Sequence, residues 1–172
     1  MVTGACSRWW QQETPYGTIT VVVGDLGVRR ITLPSAGDEP SDPVGWPGRP
    51  GPTRPDRRIE SVLAGWFTGR RRVLDLPVDL DDLTPFRREV LTALAREVPW
   101  GETVTYGELA ALAGRPGAAR AVGTTLAANP VPFIIPCHRV TAATGIGGFG
   151  GRADRVGLKR ALLDRERASR PR

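Results

Sequence analysis

Between residues 84 and 130 the chain is cut by strong start and stop signals that leave room for three short helices. Thr84-Pro85 opens the first, with Thr at the N-cap and Pro at the first helical position. Phe86, Val90, Leu91, Leu94 and Val98 then recur at helical spacing, and Pro99-Trp100-Gly101 ends the segment. Thr105-Tyr106-Gly107-Glu108 is a capping box, in which hydroxyl and carboxylate satisfy each other's backbone donors. The helix it starts runs to Ala113 and stops at Gly114. After the tight turn Arg115-Pro116-Gly117, a further helix is expected from Ala118 to Ala128, closed by Asn129-Pro130. Two short helices joined in this way resemble a helix-turn-helix, a weak signal from spacing alone because many helical hairpins share it.

The second helix of that pair is unusual in composition. Ala118, Ala119, Ala121, Gly123, Thr124, Thr125, Ala127 and Ala128 are small, and Arg120 is one long cation near its start. One face must pack against a neighbouring helix. The other is too small and polar for a core, so close approach to a ligand surface is at least as good a reading.

Downstream, Ile134-Ile135-Pro136-Cys137-His138-Arg139-Val140 holds the only histidine and one of two cysteines. The β-branched pair reads as the exit of a short buried strand, Phe133 to Ile135, with Pro136 fixing the turn. A thiol beside an imidazole is a candidate nucleophile–base pair, because the thiolate is the reactive species and a base generates it. A packed, inert cysteine is the competing reading of any such pair, since free cysteine is among the most buried residue types. The loop Thr141 to Gly151 follows, rich in glycine with Phe149 as its one large residue. It lacks the Gly-Lys-Ser/Thr of a phosphate loop. A last helix is expected from an Asp154 N-cap, with Leu158, Ala161 and Leu162 inward and Glu166 one turn beyond.

The first half reads differently. Thr18 to Val23 is β-branched throughout, Gly24-Asp25 and Gly27 supply a turn, and Val28 to Leu33 makes a second run, so residues 16–33 form a hairpin. Residues 34–58 are rich in Pro, Gly and Asp and read as a flexible loop. Ile59, Val62, Leu63, Trp66 and Phe67 mark a helix over 59–68, and Val73 to Leu80 alternates well enough for one more strand.

Net charge is +6, and residues 81–172 carry 14 basic and 9 acidic side chains against 10 and 9 in residues 1–80. The basic excess lies on the half with Cys137, which suits a polyanion such as DNA. An arginine-rich solvated surface fits the charge equally well. No apolar run is long enough to span a bilayer, and the start lacks the layout of a signal peptide, so a cytoplasmic protein is expected. One histidine and two distant cysteines do not make a structural zinc site.

These stretches together resemble the O6-alkylguanine-DNA alkyltransferases. The resemblance rests on Gly101-Glu102-Thr103-Val104-Thr105-Tyr106-Gly107-Glu108-Leu109-Ala110, Ala118-Ala119-Arg120-Ala121-Val122-Gly123, Asn129-Pro130 and Pro136-Cys137-His138-Arg139-Val140, in the family's order and spacing. It implies a two-part α/β fold: a small N-terminal antiparallel-sheet domain over 1–80, a mainly helical domain with a DNA-binding helix-turn-helix over 84–166, and a basic tail over 167–172. It implies that Cys137 accepts the alkyl group, His138 acts as base through a water, Glu166 holds its tautomer and Asn129 braces the turn. Tyr106 would help rotate the damaged nucleotide out, Arg120 would fill the gap it leaves, and the helix starting at Ala118 and Ala119 would press into the minor groove. Backbone groups of Cys137, Val140 and Gly150 would read the base against a wall at Phe149, where the family usually has tyrosine. The implied partner is double-stranded DNA carrying O6-alkylguanine, with O4-alkylthymine as a further candidate; the protein would act as a monomer, with no cofactor and no metal. A non-catalytic relative that only binds alkylated DNA is the alternative; such relatives carry another residue at the cysteine. A cysteine hydrolase fits less well, because its base usually comes from a distant part of the chain.

Overall fold

The computed structural model describes residues 8–33, 52–152 and 154–169. The loop expected over 34–58 therefore lies outside the described residues up to position 51. The chain divides into two compact units, Met1–Asp81 and Asp82–Arg172.

In the first unit the β-branched run forms β2 (Gly17–Gly24), paired antiparallel on either side with β1 (Arg8–Thr14) and β3 (Gly27–Ile31). Strand β1 has no β-branched pattern to announce it. Its adjacent Trp9 and Trp10 are both buried although neighbouring residues point to opposite sheet faces, so both faces of the strand are covered there. At the β2–β3 turn Gly27 has φ +136°, and a Cβ there would sit 2.3 Å from the Pro77 carbonyl oxygen, so only glycine fits.

Helix α1 (Arg57–Phe67) begins two residues earlier than its apolar stripe indicates, because the Asp56 carboxylate accepts from the amides of Arg58 and Ile59. Arg57 and Arg58 thus belong to the helix rather than to the preceding loop. The strand expected over 73–80 does not form. Pro77 offers no amide to a ladder, Val73 is exposed, and only Val78 makes a bridge, to Val28.

In the second unit α2 (Pro85–Glu97) buries Val90, Leu91, Ala93 and Leu94, while Phe86 is half-buried. The two-residue strand β4 (Val104–Thr105) leads into α3 (Tyr106–Leu112), whose capping box is complete: Thr105 Oγ1 accepts from the Glu108 amide and Glu108 Oε2 accepts from the Thr105 amide. Helix α4 (Ala119–Ala127) follows a turn that uses positive φ at Gly114 and Gly117. Strand β5 (Val140–Thr141) pairs parallel with β4 and so fixes what lies before and after it against α3. Helix α5 (Val156–Ala168) closes the unit and includes residues 167–168 of the expected tail; positions 170–172 lie outside the described residues. Asp154 does not cap α5. It is paired with Arg152, and Arg155 occupies the N-cap position, where no side chain caps the helix.

Candidate active site

The segment leading into Cys137 is a turn, not the expected strand. Pro132 and Ile135 bridge across Phe133-Ile134, and Phe133 takes φ +74°, a conformation uncommon for a side chain of its size. Proline at 130, 132 and 136 withholds three of the amides that a strand ladder would need. Asn129 spans the turn: its Nδ2 donates to the Ile135 carbonyl at 2.9 Å and its Oδ1 accepts from the Val131 amide at 3.1 Å. With both ends clamped and the Phe133 ring buried, the turn delivers Cys137 into a single 3₁₀ turn, Cys137–Arg139.

Helix α5 supplies the facing wall. Its inward residues are Lys159, Leu162, Leu163 and Glu166, spaced i, i+3, i+4, i+7. This face is rotated from the one its apolar residues indicate: Ala161 is exposed and Leu158 only partly covered, whereas two charged residues point in. The Glu166 carboxylate is fully buried and lies 2.8 Å from His138 Nε2. It also accepts from Arg139 Nε at 2.9 Å, Arg139 Nη2 at 3.1 Å and the Gly101 amide at 3.0 Å. Burial alone would raise its pKa, but the hydrogen bonds and charges of His138 and Arg139 outweigh that and hold it down to about 2. An ionised carboxylate only accepts, so His138 carries its proton on Nε2 and keeps the Nδ1 lone pair for a proton from elsewhere. Burial keeps the imidazole below its ordinary pKa, against the pull of Glu166, so the ring is neutral and can accept a proton. Arg139 also donates to the Val98 carbonyl at 2.8 Å, tying the end of α2 to the same cluster. Trp100 covers it, with the guanidiniums of Arg139 and Arg165 at 5.8 and 5.3 Å from its ring.

Cys137 is a free thiol, 5% exposed. Burial pushes its pKa up to about 11, although a hydrogen bond from Asn129 and the charge of Lys159 act in the opposite direction. The resting site therefore holds a thiol, and a nearby base is needed to make it reactive. Lys159, fully buried, donates to the Val140 carbonyl at 2.6 Å and the Gly148 carbonyl at 2.9 Å, joining β5 to the Gly-rich loop. Desolvation lowers its pKa to about 8, opposed by attraction to Cys137. Phe149 is buried, its ring edge-on to His138 at 6.4 Å.

Tyr106, the first residue of α3, lies between α4 and this loop. Cβ atoms built on Gly123 of α4 and on Gly147 would lie 3.8 and 3.2 Å from its ring and hydroxyl. Its pKa is raised by burial and by proximity to Cys137. Arg120 lies apart from the buried cluster, on the exposed face of α4, next to the half-buried Ala118 and Ala119. Gly150 takes φ +55° in the loop beside Phe149.

The structure thus brings Cys137, His138, Glu166, Asn129, Val140 and Phe149 into one neighbourhood, with Tyr106 at its edge and Arg120 on the outer face. Sequence reasoning assigned no role to Lys159, Arg139 or the Gly101 amide. One signal for Lys159 was available: among 24 basic residues it is the sole lysine. Among the described residues no group of three or more His, Cys, Asp or Glu side chains is arranged to hold a metal ion.

Fold and site together define a class, a helix-turn-helix unit carrying a guarded thiol beside a histidine–carboxylate pair. The family described as "6-O-methylguanine DNA methyltransferase, DNA binding domain" matches residues 85–168. A methylated-DNA–protein-cysteine methyltransferase of Mycolicibacterium paratuberculosis is 37% identical over 160 residues, 92% of each chain. The human protein of the same name is 34% identical, covering 81% of this chain and 72% of its own. The crystal structure of Mycobacterium tuberculosis OGT in complex with DNA aligns over 95% of each chain with a TM-score of 0.76 and 34% identity. The chain belongs to the methylated-DNA–protein-cysteine methyltransferase family.

Proposed function

We propose that this protein repairs DNA by direct transfer of an alkyl group from O6-alkylguanine to the sulfur of Cys137, with O4-alkylthymine as a second candidate substrate. The observation that carries this reading is the 2.8 Å contact between His138 Nε2 and an ionised Glu166, beside a thiol held by Asn129. It makes His138 Nδ1 the base. The thiol proton passes through a water to Nδ1, and the thiolate attacks the alkyl carbon. The S–C bond forms as the C–O6 bond breaks, and the electron pair returns to guanine, which takes up a proton. Glu166 stabilises the imidazolium while that proton is held, the role of the carboxylate in a serine-protease triad. A thioether has no easy return path, so each molecule reacts once. No cofactor is required.

The alkyl carbon lies inside the duplex, so the nucleotide must be extruded, at a cost of a few kcal/mol. Helix α4 suits the narrow minor groove because its outward residues Ala121, Thr124, Ala127 and Ala128 are small and exposed. Arg120 fills the vacated stack and Tyr106 contacts the extruded guanine. The Val140 carbonyl accepts from Lys159 with one lone pair and keeps the other for a base amine. A relative crystallised with DNA supports this partner. The reading places the protein in a reducing, cytoplasmic setting and has it act as a monomer. The non-catalytic alternative is not favoured, because the relatives are named cysteine methyltransferases and Cys137 is present.

Incubating the reduced protein with a duplex containing O6-methylguanine should add one methyl mass to the peptide holding Cys137. An unmodified cysteine after complete binding would overturn the transfer.

A further inference from the structure

We propose that a cleft between the β4–β5 pair and α5 seats a backbone phosphate of the bound DNA. The cleft has a volume of about 230 Å³ and is lined by Thr103, Thr141, Gly145, Arg160, Asp164 and Arg167, among others. Arg160 and Arg167 stand two helical turns apart on α5 and so share one face. Both are exposed. Three other arginines of this unit are engaged, Arg115 with Glu89, Arg152 with Asp154 and Arg139 with Glu166. Among the described residues Arg160 and Arg167 make no ion pair, even with Asp164 between them. Two cations against one carboxylate in one concavity form a site for an anion.

The remaining lining decides which anion. Thr103 and Thr141 place hydroxyl groups at the ends of the paired strands, and hydroxyl plus guanidinium is the donor set that binds phosphate oxygens. The cleft holds a net charge of +1 from its two arginines and one aspartate, matching one phosphodiester rather than a more highly charged group. Its position selects DNA as the source. Gly145 belongs to the same loop that reaches Tyr106 at Gly147, and Tyr106 also abuts Gly123 of α4. A strand engaged at α4 is led past Tyr106 and along this loop to the cleft. The inference rests on the DNA-repair reading and adds a contact outside the helix-turn-helix, one that fixes the strand while a nucleotide is turned out.

The test uses the full chain and a fluorescent duplex containing O6-methylguanine, bound over a series of salt concentrations with each protein's Cys137 changed to Ala to stop transfer. An Arg160→Gln/Arg167→Gln variant should flatten the slope of log K against log salt by about 0.9, one phosphate contact, and weaken binding roughly eightfold at 0.1 M salt, the factor that slope gives on extrapolation from 1 M. Asp164→Asn should act in the opposite direction and tighten binding. With Cys137 intact, reaction with the free base O6-benzylguanine should be unchanged in both, which reports on the fold and on the chemistry separately. An unchanged slope in the double variant overturns the proposal. So does an equal loss in Arg88→Gln/Arg96→Gln, which removes two exposed charges on α2 and would reduce the effect to net charge. If the free base fails to react with the unsubstituted protein, the repair reading falls instead.

Discussion

The second unit keeps its charges in two contrasting places. Around Cys137, His138, Arg139, Lys159 and Glu166 are all buried, and Glu166 alone receives four hydrogen bonds. On the outward face of α4 there is one long cation, Arg120, among small exposed residues. A buried polar cluster is costly unless every member is satisfied, so each of its parts is coupled to the others. An exposed face of small residues has few contacts to lose and can change with little effect on stability. Chemistry and recognition are therefore separable by mutation, and the difference between the two regions can be measured.

The largest effect should come from Cys137→Ala, which abolishes transfer while duplex binding persists. Residual methyl transfer in that variant would mean that another group is the acceptor. Next is Glu166→Ala. It leaves the Arg139 guanidinium buried without its carboxylate, a change that typically costs about 3–5 kcal/mol. A denaturant melt should show the loss, and little loss would contradict the network read here. The pH dependence follows the same carboxylate. Its pKa falls from 4.5 to about 2 on folding, so its contribution is complete above 4.5 and is lost as the pH falls through 2. That contribution is on the order of 3 kcal/mol, and Glu166→Gln should flatten the acid limb of the stability curve.

Lys159→Met should act on both stability and rate. It strands the buried Val140 carbonyl, about 1–3 kcal/mol for a buried group left unsatisfied, and frees the part-buried Gly148 carbonyl, partly offset because a buried charge is removed. It also takes away the positive charge that lowers the Cys137 pKa. Alkylation by the free base should slow at neutral pH and recover toward the unsubstituted rate as pH rises. A uniform loss at all pH values would leave Lys159 only a packing role. Arg120→Ala is the contrast on the outer face. Stability should change by no more than about 0.5 kcal/mol, and the free base should react normally, while repair in duplex DNA falls. An equal loss on both substrates would remove its part in extrusion.

How much of this was legible in the sequence depends on what signals each element. Helix bounds set by caps were readable to within a residue or two: α3 by its capping box, α4 by Gly117 and Asn129-Pro130. Strand β1 was missed because Trp9-Trp10-Gln11-Gln12 has no two-residue alternation. The strands expected at 73–80 and 133–135 failed for one reason: proline removes the amides that a ladder needs, and a β-branched run beside proline is a poor strand. The inward face of α5 was misjudged because apolar periodicity assumes an apolar core, whereas this face meets a buried cluster and brings Lys159 and Glu166 to it. The pairing of Glu166 with His138 came from resemblance, and only the geometry supplies Arg139, Lys159 and the Gly101 amide as its company.

The smallest expected effect lies at the edge of the buried cluster, at Trp100. The indole Nε1 donates to Ser169 Oγ at 3.3 Å, a long bond at the end of α5, and the guanidiniums of Arg139 and Arg165 lie 5.8 and 5.3 Å from its ring centroid. Trp100→Phe keeps an aromatic face for the two cations and gives up only the hydrogen bond, so it should cost about 1 kcal/mol or less. Trp100→Ala exposes Arg139 and should cost more. Because Trp100 touches the positioning groups and not the thiol, the phenylalanine variant should alkylate at the unsubstituted rate across the pH range. A shift in its pH–rate profile would show that the boundary between the coupled interior and the tolerant surface runs outside Trp100, with the ring itself acting on the charge of the Glu166 cluster.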